Sequence, residues 1–338
     1  MKSFFVCTLL FFATSTFSQL SEFDSVDFTN ADNLAKLYEG ENLQNLSLLS
    51  YNLTHTLKTD LEKFRAIYTW VCQNIRADKN QYRKVIKKRR KFKNDSIALL
   101  LWNNSYQKVA FKKLLKNQKT MCTGYAYLIK ELSYLADIEC KIIDGYGRSV
   151  ETNIDTLDIA NHSWNAVKLN NKWYLCDATW SSGYLSDKGG FVRKYNDGYF
   201  LTKPEYFALN HFPKDQNWLL GCNMTAENFV ASPLLYGEAF LHRSIPKLPT
   251  TLNIMTEKNT EISFEIDLLS KHKDLKAALV MYTDQEEELK MNNFKVTDKT
   301  LSFSTSFKRR GYYDVHLKVN EDIIASYTIK VVAPAKNI

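Results

Sequence analysis

The amino-acid sequence predicts an α+β fold, with helices and an antiparallel strand pair followed by a second region of β-strands. Apolar residues recur at helical spacing between Thr59 and Leu135, and apolar and polar residues alternate after His162. More short alternating runs follow Asn223. The 338 residues are 45% hydrophobic and 24% charged, which excludes a disordered or low-complexity chain. A chain of this length is expected to form about two domains.

The N-terminal residues are typical of a secretory signal peptide. Lys2 precedes the uncharged run of residues 4–13, and small residues follow as far as Ser18. We expect residues 1–18 to be removed just before Gln19 and the protein to be exported, to the periplasm or out of the cell. The run is too short to cross about 30 Å of hydrocarbon, and no later segment is long and apolar enough. No transmembrane span is therefore expected after signal removal.

Export raises the question of disulfide bonds. Without Cys7, which lies in the signal peptide, the cysteines that remain are Cys72, Cys122, Cys140, Cys176 and Cys222. Their odd number leaves at least one free thiol, and four of them can pair in three ways. We favour buried thiols at Cys72, Cys140 and Cys176, because each lies in an apolar segment. No Cys-x-x-Cys or His-x-x-x-His spacing occurs, so no zinc or other metal site is expected.

Helices are predicted in the first half of the chain. Residues 19–57 are polar with scattered leucines and should form one or two short lead-in helices. The capping box of residues 59–62 marks the start of a firmer amphipathic helix that should end near Ala77. Residues 97–116 are helical in character, and a buried helix should begin at or just after Cys122.

A dense basic cluster lies between these helices. Residues 82–94 contain eight lysines and arginines and no acid, and eight is also the formal net charge of the whole chain. The stretch from Lys87 to Lys93 is either a docking patch for an anionic polymer or the solvated face of a loop or helix, and we favour the second. Nucleic acid is not expected as a partner, because one short cluster without interleaved aromatic residues is a weak signal for it.

Three strands are predicted after the helices. Residues 138–144 are the first, and residues 161–169 and 173–180 should form a hairpin. The connection is Asn170-Asn171, and asparagine tolerates the positive φ that a tight hairpin turn requires.

A two-residue turn fixes the register of this hairpin. His162 then faces Thr179, and Trp164 faces Asp177. His162 and Asp177 become diagonal neighbours on one face, with Cα atoms about 7–8 Å apart and side chains within reach of each other. A carboxylate in so apolar a strand would be costly to bury without such a partner.

Residues 223–338 are predicted to form an immunoglobulin-like β-sandwich. Short runs with alternating or strand-forming residues occur at 262–266, 278–282, 301–303, 313–319 and 323–332. Gly311 provides a turn between two of them, and Pro246 and Pro249 are expected to lie in the linker before the sandwich.

Three residues could together carry nucleophilic catalysis. A cysteine nucleophile needs a lowered pKa, a base, and a group that orients the base. Cys122 stands at the predicted start of a helix, where free N–H groups and the helix dipole favour a thiolate. His162 is the candidate base, and Asp177 is the candidate that orients it. Taken alone, Cys122 is more typical of a small buried residue and His162 of an ordinary histidine.

Four motifs resemble the transglutaminase-like superfamily, the papain-like group with a Cys–His–Asp triad. They are KFRAIYTWV at 63–71, CTGYA at 122–126, HSWNAV at 162–167 and WYLCDATW at 173–180. Residues 199–202 and 211–213, with Trp218, resemble the tail that often closes such domains. Their common order makes the resemblance specific over about residues 58–221. Within the superfamily, the chain looks like the exported bacterial and kyphoscoliosis-peptidase-type members.

The resemblance implies a papain-like transglutaminase core at residues 58–222, with helices packed on an antiparallel sheet, ahead of the sandwich at 223–338. It implies that Cys122 is the nucleophile, His162 the general base and acid, and Asp177 the orienting acid, with no cofactor or metal. The implied reaction is acyl transfer on a protein or peptide substrate through a thioester at Cys122. Water as acceptor makes the protein a cysteine protease or amidase, and an amine makes it a transamidase.

The substrate is left open by the sequence. Backbone N–H groups near Cys122 and one side chain would hold the oxyanion, with Gln107, Gln118 and Trp102 as candidates. Thr123 stands where many relatives carry an acid, and the basic stretch looks like an insertion. The alternative function is a non-catalytic binding or scaffold protein of the cell envelope. In either case, the sandwich would bind or position a protein or cell-envelope partner.

Overall fold

The protein is described from a computed structural model over residues 20–150, 152, 156–186, 190–270 and 275–334. The predicted signal peptide, residues 1–18, lies outside these residues, so export stays a prediction. Within the described ranges, no helix combines the length and the apolar character needed to cross a bilayer.

Helices dominate the first half of the chain. The longer ones are α1 (Thr29–Leu37), α2 (Leu46–Thr54), α3 (Asp60–Asn74), α4 (Lys79–Lys91), α5 (Ser96–Asn117) and α6 (Cys122–Tyr134). Four short ones follow among the described residues: α7 (Ala178–Ser182), α8 (Pro204–Phe207), α9 (Ala226–Ala231) and α10 (Gly237–Leu241). Helices α1 and α2 lie where the lead-in helices are predicted, and both pack against α3.

Helix α3 begins as the capping box predicts. The hydroxyl of Thr59 accepts the N–H of Glu62 at 3.2 Å, and the carboxylate of Glu62 accepts the N–H of Thr59 at 3.1 Å. The helix ends at Asn74, slightly before the predicted end. The chain there becomes strand β1 (Arg76–Ala77), which pairs in parallel with β2 (Lys119–Thr120) just ahead of α6.

The basic cluster lies on α4, which packs beside α5. Asp78 caps α4, because its Oδ1 accepts the N–H groups of Asn80 and Gln81 at 3.0 and 3.1 Å. Lys84 places its Nζ 4.4 Å from the ring centroid of Tyr106 on α5, within the range of a cation–π contact. The cluster is therefore the face of a helix and not a loop.

An antiparallel sheet packs against α6. Its strand order is β5-β4-β3-β8, with β3 (Cys140–Gly147), β4 (His162–Leu169), β5 (Lys172–Cys176) and β8 (His211–Pro213). A small pair, β6 (Gly183–Leu185) and β7 (Phe191–Arg193), lies between β5 and β8 in the chain. Helices on an antiparallel sheet confirm the predicted α+β class.

The hairpin register is confirmed from the turn as far as Asn165 and Cys176. Asn170 and Asn171 have φ of 50° and 62°, which is the conformation that a two-residue hairpin turn needs. Leu169 pairs with Lys172, and Asn165 pairs with Cys176, as the two-residue turn requires.

The second strand of the hairpin is shorter than predicted. Strand β5 ends at Cys176, because Asp177 turns the chain into α7: its Oδ1 accepts the N–H groups of Thr179 and Trp180 at 2.8 and 3.3 Å. The prediction of a strand through Trp180 is wrong, and Trp164 is not a ladder partner of Asp177. An aspartate that caps a helix outweighs the strand preference of the apolar residues around it.

The C-terminal strands form two sheets. One has the order β10-β12-β16-β15 and the other β11-β18-β17-β13-β14, with β9 also paired to β18. Their bounds are β9 (Leu234–Leu235), β10 (Ser244–Leu248), β11 (Asn253–Glu257), β12 (Ile262–Leu268), β13 (Ala277–Tyr282), β14 (Glu286–Glu288), β15 (Asn292–Val296), β16 (Thr300–Thr305), β17 (Gly311–Val319) and β18 (Asp322–Val332). Phe264 of one sheet packs 5.4 Å from Tyr327 of the other, between ring centroids. The arrangement is compatible with the predicted immunoglobulin-like sandwich.

Pro246 is part of this region and not of a linker, so that prediction is wrong. It lies in β10 and faces Ile266, next to a register shift. Strand β10 is at the edge of its sheet, where a residue without a backbone N–H costs no ladder hydrogen bond.

The helical region and the strand-rich region share a hydrophobic core. Trp164 and Phe207 belong to the same cluster of buried side chains as Leu235, Phe240 and Tyr327. The predicted domain boundary at residues 222–223 stays a prediction, and apolar packing runs across it.

Candidate active site

Helix α6 positions Cys122 at its first residue, as predicted. The thiol is buried, with only 6% of the residue exposed. Gly124 permits the close approach of β2, because a Cβ at this position would lie 1.9 Å from Oγ1 of Thr120. The first N–H groups of a helix have no carbonyl partner within it, so α6 presents free donors beside the sulfur.

His162, the first residue of β4, lies directly beside Asp177. Its Nε2 is 2.7 Å from Oδ2 of Asp177, and its ring stacks on Trp180 with centroids 4.8 Å apart. Because Nε2 faces the carboxylate, Nδ1 is the ring nitrogen left for the Cys122 thiol, whose pKa responds to His162. The structure thus brings together all three predicted site residues.

Asp177 is held by four hydrogen bonds and is 1% exposed. Its Oδ1 caps α7, as described above, and its Oδ2 accepts from two histidines. One is His162 and the other is His211, whose Nε2 lies 3.1 Å away. A carboxylate with this many donors is fixed in one orientation and stabilised in its charged form.

The electrostatics favour a thiolate–imidazolium pair. Burial alone would raise the pKa of Cys122, but the hydrogen bond and charge of His162 lower it below its usual value. Burial alone would lower the pKa of His162, but the carboxylate of Asp177 and the thiol raise it to about 10. The pKa of Asp177, which burial alone would raise, is held far below its usual range, mainly by the charge of His162.

His211 is the site residue that sequence reasoning missed. It is fully buried on β8, its ring stacks on Phe207 with centroids 4.0 Å apart, and its Nδ1 lies 2.7 Å from the side-chain amide of Asn210. Burial lowers the pKa of His211 to about 4, and the charge of His162 lowers it as well. The carboxylate of Asp177 raises this pKa but does not offset the effect of burial. His211 is therefore neutral near pH 7 and has a single N–H, whereas its ring nitrogens face two acceptor oxygens, Oδ2 of Asp177 at 3.1 Å and Oδ1 of Asn210 at 2.7 Å.

Cys122 and His162 open onto a cavity of about 470 Å³. One wall comes from the first region and includes Trp180 and Tyr184. The opposite wall comes from residues 235–241, which include α10. This wall lies beyond the predicted end of the core at residue 222, so it was not predicted as part of the site.

The sequence offered three candidate oxyanion side chains without choosing among them, and each was more typical of a structural residue. None of Gln107, Gln118 and Trp102 is among the residues that line the cavity. The amide of Gln118 instead donates to the carbonyl of Glu41 at 2.5 Å, and Trp102 stacks on Tyr106 along α5. Gln118 and Trp102 therefore make structural contacts outside the cavity lining.

One group of described residues has the spacing of metal ligands. The ligand atoms of His162, Asp177 and His211 all lie within 4.8 Å of one another. Two hydrogen bonds from imidazole to carboxylate account for this closeness, and we assign the group as a hydrogen-bonded network.

The other cysteines differ sharply from Cys122. Cys72, Cys140 and Cys176 are buried free thiols, as favoured from the sequence, and Cys222 is a partly exposed free thiol. Burial raises the pKa of Cys72 and Cys176 well above the usual value and that of Cys140 to about 12. Of the five, Cys122 alone has a lowered pKa.

Comparisons with known proteins point to the transglutaminase-like superfamily. The family model "Transglutaminase-like superfamily" matches residues 48–178, which include Cys122, His162 and Asp177. Kyphoscoliosis peptidase of Homo sapiens is 33% identical over 204 residues, which are 60% of this chain and 27% of that protein. Hillarin of Drosophila melanogaster is 24% identical over 212 residues, 58% of this chain and 23% of that one.

This chain spans about a quarter of the length of these curated relatives. A crystal structure of a TGase matches with a TM-score of 0.28 and 17% identity, over 51% of this chain and 35% of that one. The family model and the relatives identify residues 48–178 as a domain of the transglutaminase-like superfamily, a family of papain-like cysteine enzymes.

Proposed function

We propose that the protein is a cysteine acyl-transfer enzyme, a protease or amidase that cleaves peptide or carboxamide bonds through a thioester at Cys122. The observation that carries the proposal is the buried Cys122–His162–Asp177 network, with a lowered thiol pKa, at the wall of a cavity. The domain match supports the same reaction class.

The reaction follows from the positions of these groups. The Cys122 thiolate attacks the carbonyl carbon, and the N-terminal N–H groups of α6 stabilise the oxyanion. His162 gives its proton to the leaving amine as the C–N bond breaks, which leaves a thioester and a neutral imidazole. His162 then takes a proton from water, or from an acceptor amine, as that molecule attacks the thioester. The acid or the new amide leaves, and the thiolate–imidazolium pair is restored.

Asp177 and His211 support this cycle without touching the substrate. Asp177 holds His162 in the orientation that leaves Nδ1 toward Cys122, and it stabilises the imidazolium form. His211 is a positioning residue, because its Nε2 lies 3.1 Å from the carboxylate of Asp177 and it is not among the residues that line the cavity.

Iodoacetamide alkylation against pH, with the modified site assigned by mass spectrometry, tests the proposal. Cys122 should be labelled rapidly below about pH 7, because the thiolate is the reactive form. The variant His162→Ala should lose this rapid labelling, while Cys222 in the same molecule reports general access to reagent. Slow labelling of Cys122, with a midpoint near the usual value of about 8.5, would contradict the proposal.

The second candidate function is a non-catalytic binding or scaffold protein of the cell envelope. The burial of Cys122, with 6% of its surface exposed, is the observation that favours it. Under this alternative, the cavity would bind a partner without turnover, and the alkylation result just described separates the two functions.

We further propose that the protein is exported and that its strand-rich C-terminal region holds a protein or cell-envelope partner. The proposal rests on the charge and apolar pattern of residues 1–18. Protein made with its own N-terminus in a secretion-competent host should start at Gln19 and remain with the envelope fraction. A product that keeps Met1 inside the cell would contradict export, and complete release into the medium would contradict the envelope partner.

A further inference from the structure

A second hollow lies beside the cavity of Cys122. It has a volume of about 480 Å³ and shares Ala77, Asp78 and Leu185 with the first cavity. Its lining contains four cations, which are Arg76, Lys79, Arg83 and Lys119. We call it the basic hollow. Lys79 and Arg83 come from the first turns of α4, and Arg76 and Lys119 come from the short strands that pair just ahead of α6.

Among the described residues, the four cations of the basic hollow have no carboxylate as an ion-pair partner. Asp78 is the acid in its lining, and it is already engaged as the cap of α4 and as the ion-pair partner of Lys113. Across the described part of the chain, none of the four cations forms an ion pair with a carboxylate. The hollow therefore presents uncompensated positive charge to whatever enters it.

Repulsion between neighbouring cations adds to this excess. Burial lowers the pKa of Arg193, and the positive charge of Arg76 lowers it further. The guanidinium of Arg193 donates to the carbonyl of Cys72 at 2.6 Å, so it binds a neutral acceptor and not an acid. An anion in the basic hollow would relieve the repulsion around Arg76.

Positive charge on α4 also acts on the Cys122 thiol. Helix α4 carries no acid and ends in a run of lysines and arginines. Burial raises the pKa of the Cys122 thiol, and Arg89 of α4 is among the charges that lower it, after His162. Positive charge on α4 therefore favours the Cys122 thiolate, and the basic hollow borders the cavity of that thiol.

We propose that the basic hollow binds an acidic side chain of the polypeptide whose carbonyl reaches Cys122, so that substrates with Asp or Glu near the reacting residue are preferred. This rests on the proposed function, because it places the acid on the same chain as the acyl donor. A polypeptide is the favoured occupant, because the hollow and the cavity are adjacent, with three lining residues in common, and neighbouring side chains of one polypeptide lie close enough together to reach adjacent cavities.

A binding experiment without turnover tests the inference. The probes are two fluorescent peptides with one glutamine each, flanked by aspartates in one and by serines in the other. They are titrated into the full chain that carries Cys122→Ser. The acidic peptide should bind about tenfold more tightly at low salt, as expected for two partly exposed ion pairs. The preference should shrink as salt is raised, because the charges are screened.

Matched charge variants test whether the cations of the basic hollow cause the preference for the acidic peptide. Arg76→Gln with Arg83→Gln should remove the preference for the acidic peptide. Lys108→Gln with Lys112→Gln, which removes two charges from exposed positions of α5, should keep it. The inference would be overturned if the two peptides bound equally tightly to the Cys122→Ser chain. It would also be overturned if both double variants lost the preference for the acidic peptide to the same extent. Binding of a sulfated polysaccharide but not of the acidic peptide would also overturn it, in favour of the anionic polymer considered from the sequence.

The outcome is separable from that of the proposed function. If Cys122 of the unmodified chain alkylates slowly while the acidic peptide still binds through Arg76 and Arg83, the enzyme proposal fails and the anion site stands. If Cys122 is highly reactive and the two peptides bind equally, the enzyme proposal stands and the inference about the basic hollow fails.

Discussion

Asp177→Asn is expected to lower kcat by about 10⁴-fold on any peptide or carboxamide that the unmodified protein turns over. The amide has nearly the same shape as the carboxylate, so α7 should still form. It has no negative charge, however, and an amide nitrogen that faces His162 or His211 would repel their N–H groups. The imidazolium form of His162 loses its main stabilisation, and with it the thiolate of Cys122.

The same variant should show slow alkylation of Cys122, because neutral His162 leaves the sulfur as a buried thiol. Asp144→Asn is the matched control: Asp144 lies on β3 of the same sheet and accepts a hydrogen bond from Ser163 at 2.7 Å, without contacting His162. If kcat of Asp177→Asn stayed within about tenfold of that of the unmodified protein, the negative charge of Asp177 would not contribute the expected factor to catalysis.

His211→Phe should reduce the dependence of stability on pH between about 6.5 and 4. In the unfolded chain, His211 takes up a proton below about pH 6.5, whereas in the folded protein burial delays protonation until about pH 4. The unfolded state therefore binds more protons in this range, and His211 makes the free energy of unfolding fall by about 1.4 kcal/mol per pH unit on acidification. His162 adds little slope there, because its folded pKa of about 10 keeps it protonated in both states.

Chemical denaturation at several pH values measures this slope. In His211→Phe, the number of protons taken up on unfolding in this pH range should be lower by about one. The substitution should also lower stability near pH 7 by about 1–3 kcal/mol, because Asp177 and Asn210 lose a buried partner. His55→Phe, at an exposed position of the chain, controls for the loss of a histidine. An unchanged slope in His211→Phe would mean that His211 is already protonated in the folded protein.

Local signals in the sequence were sufficient for much of the site. The capping box located the start of α3, and the Asn-Asn turn set the register that brings His162 to the end of the sheet next to Asp177. The helix start at Cys122 also followed from residues close to it in the chain. These features depend on interactions across only a few residues, which spacing along a sequence describes well.

Long-range pairing is what the sequence could not reveal. His211 reaches Asp177 because β8 pairs with β3 on the side away from β4. The spacing of His211 and Asp177 along the chain does not indicate this pairing. A histidine next to Phe212 and Pro213, in Asn-His-Phe-Pro, was the available signal, because a polar residue in a buried segment is costly without a partner. The sequence did not indicate that β5 ends before Asp177. The apolar residues around Asp177 favour a strand, whereas Asp177 itself caps α7.

The origin of the cavity walls has a consequence for how proteins of this kind can diverge. The reactive trio lies within the matched domain, whereas residues 235–241 close the cavity from outside it and are anchored to β18 through β9. Part of the pocket lining is thus encoded in a stretch of the gene separate from the one that encodes the reactive residues. Mutations in the later stretch can alter which acyl groups fit while the nucleophile and its partners stay intact, so new substrate preferences can arise without a loss of reactivity.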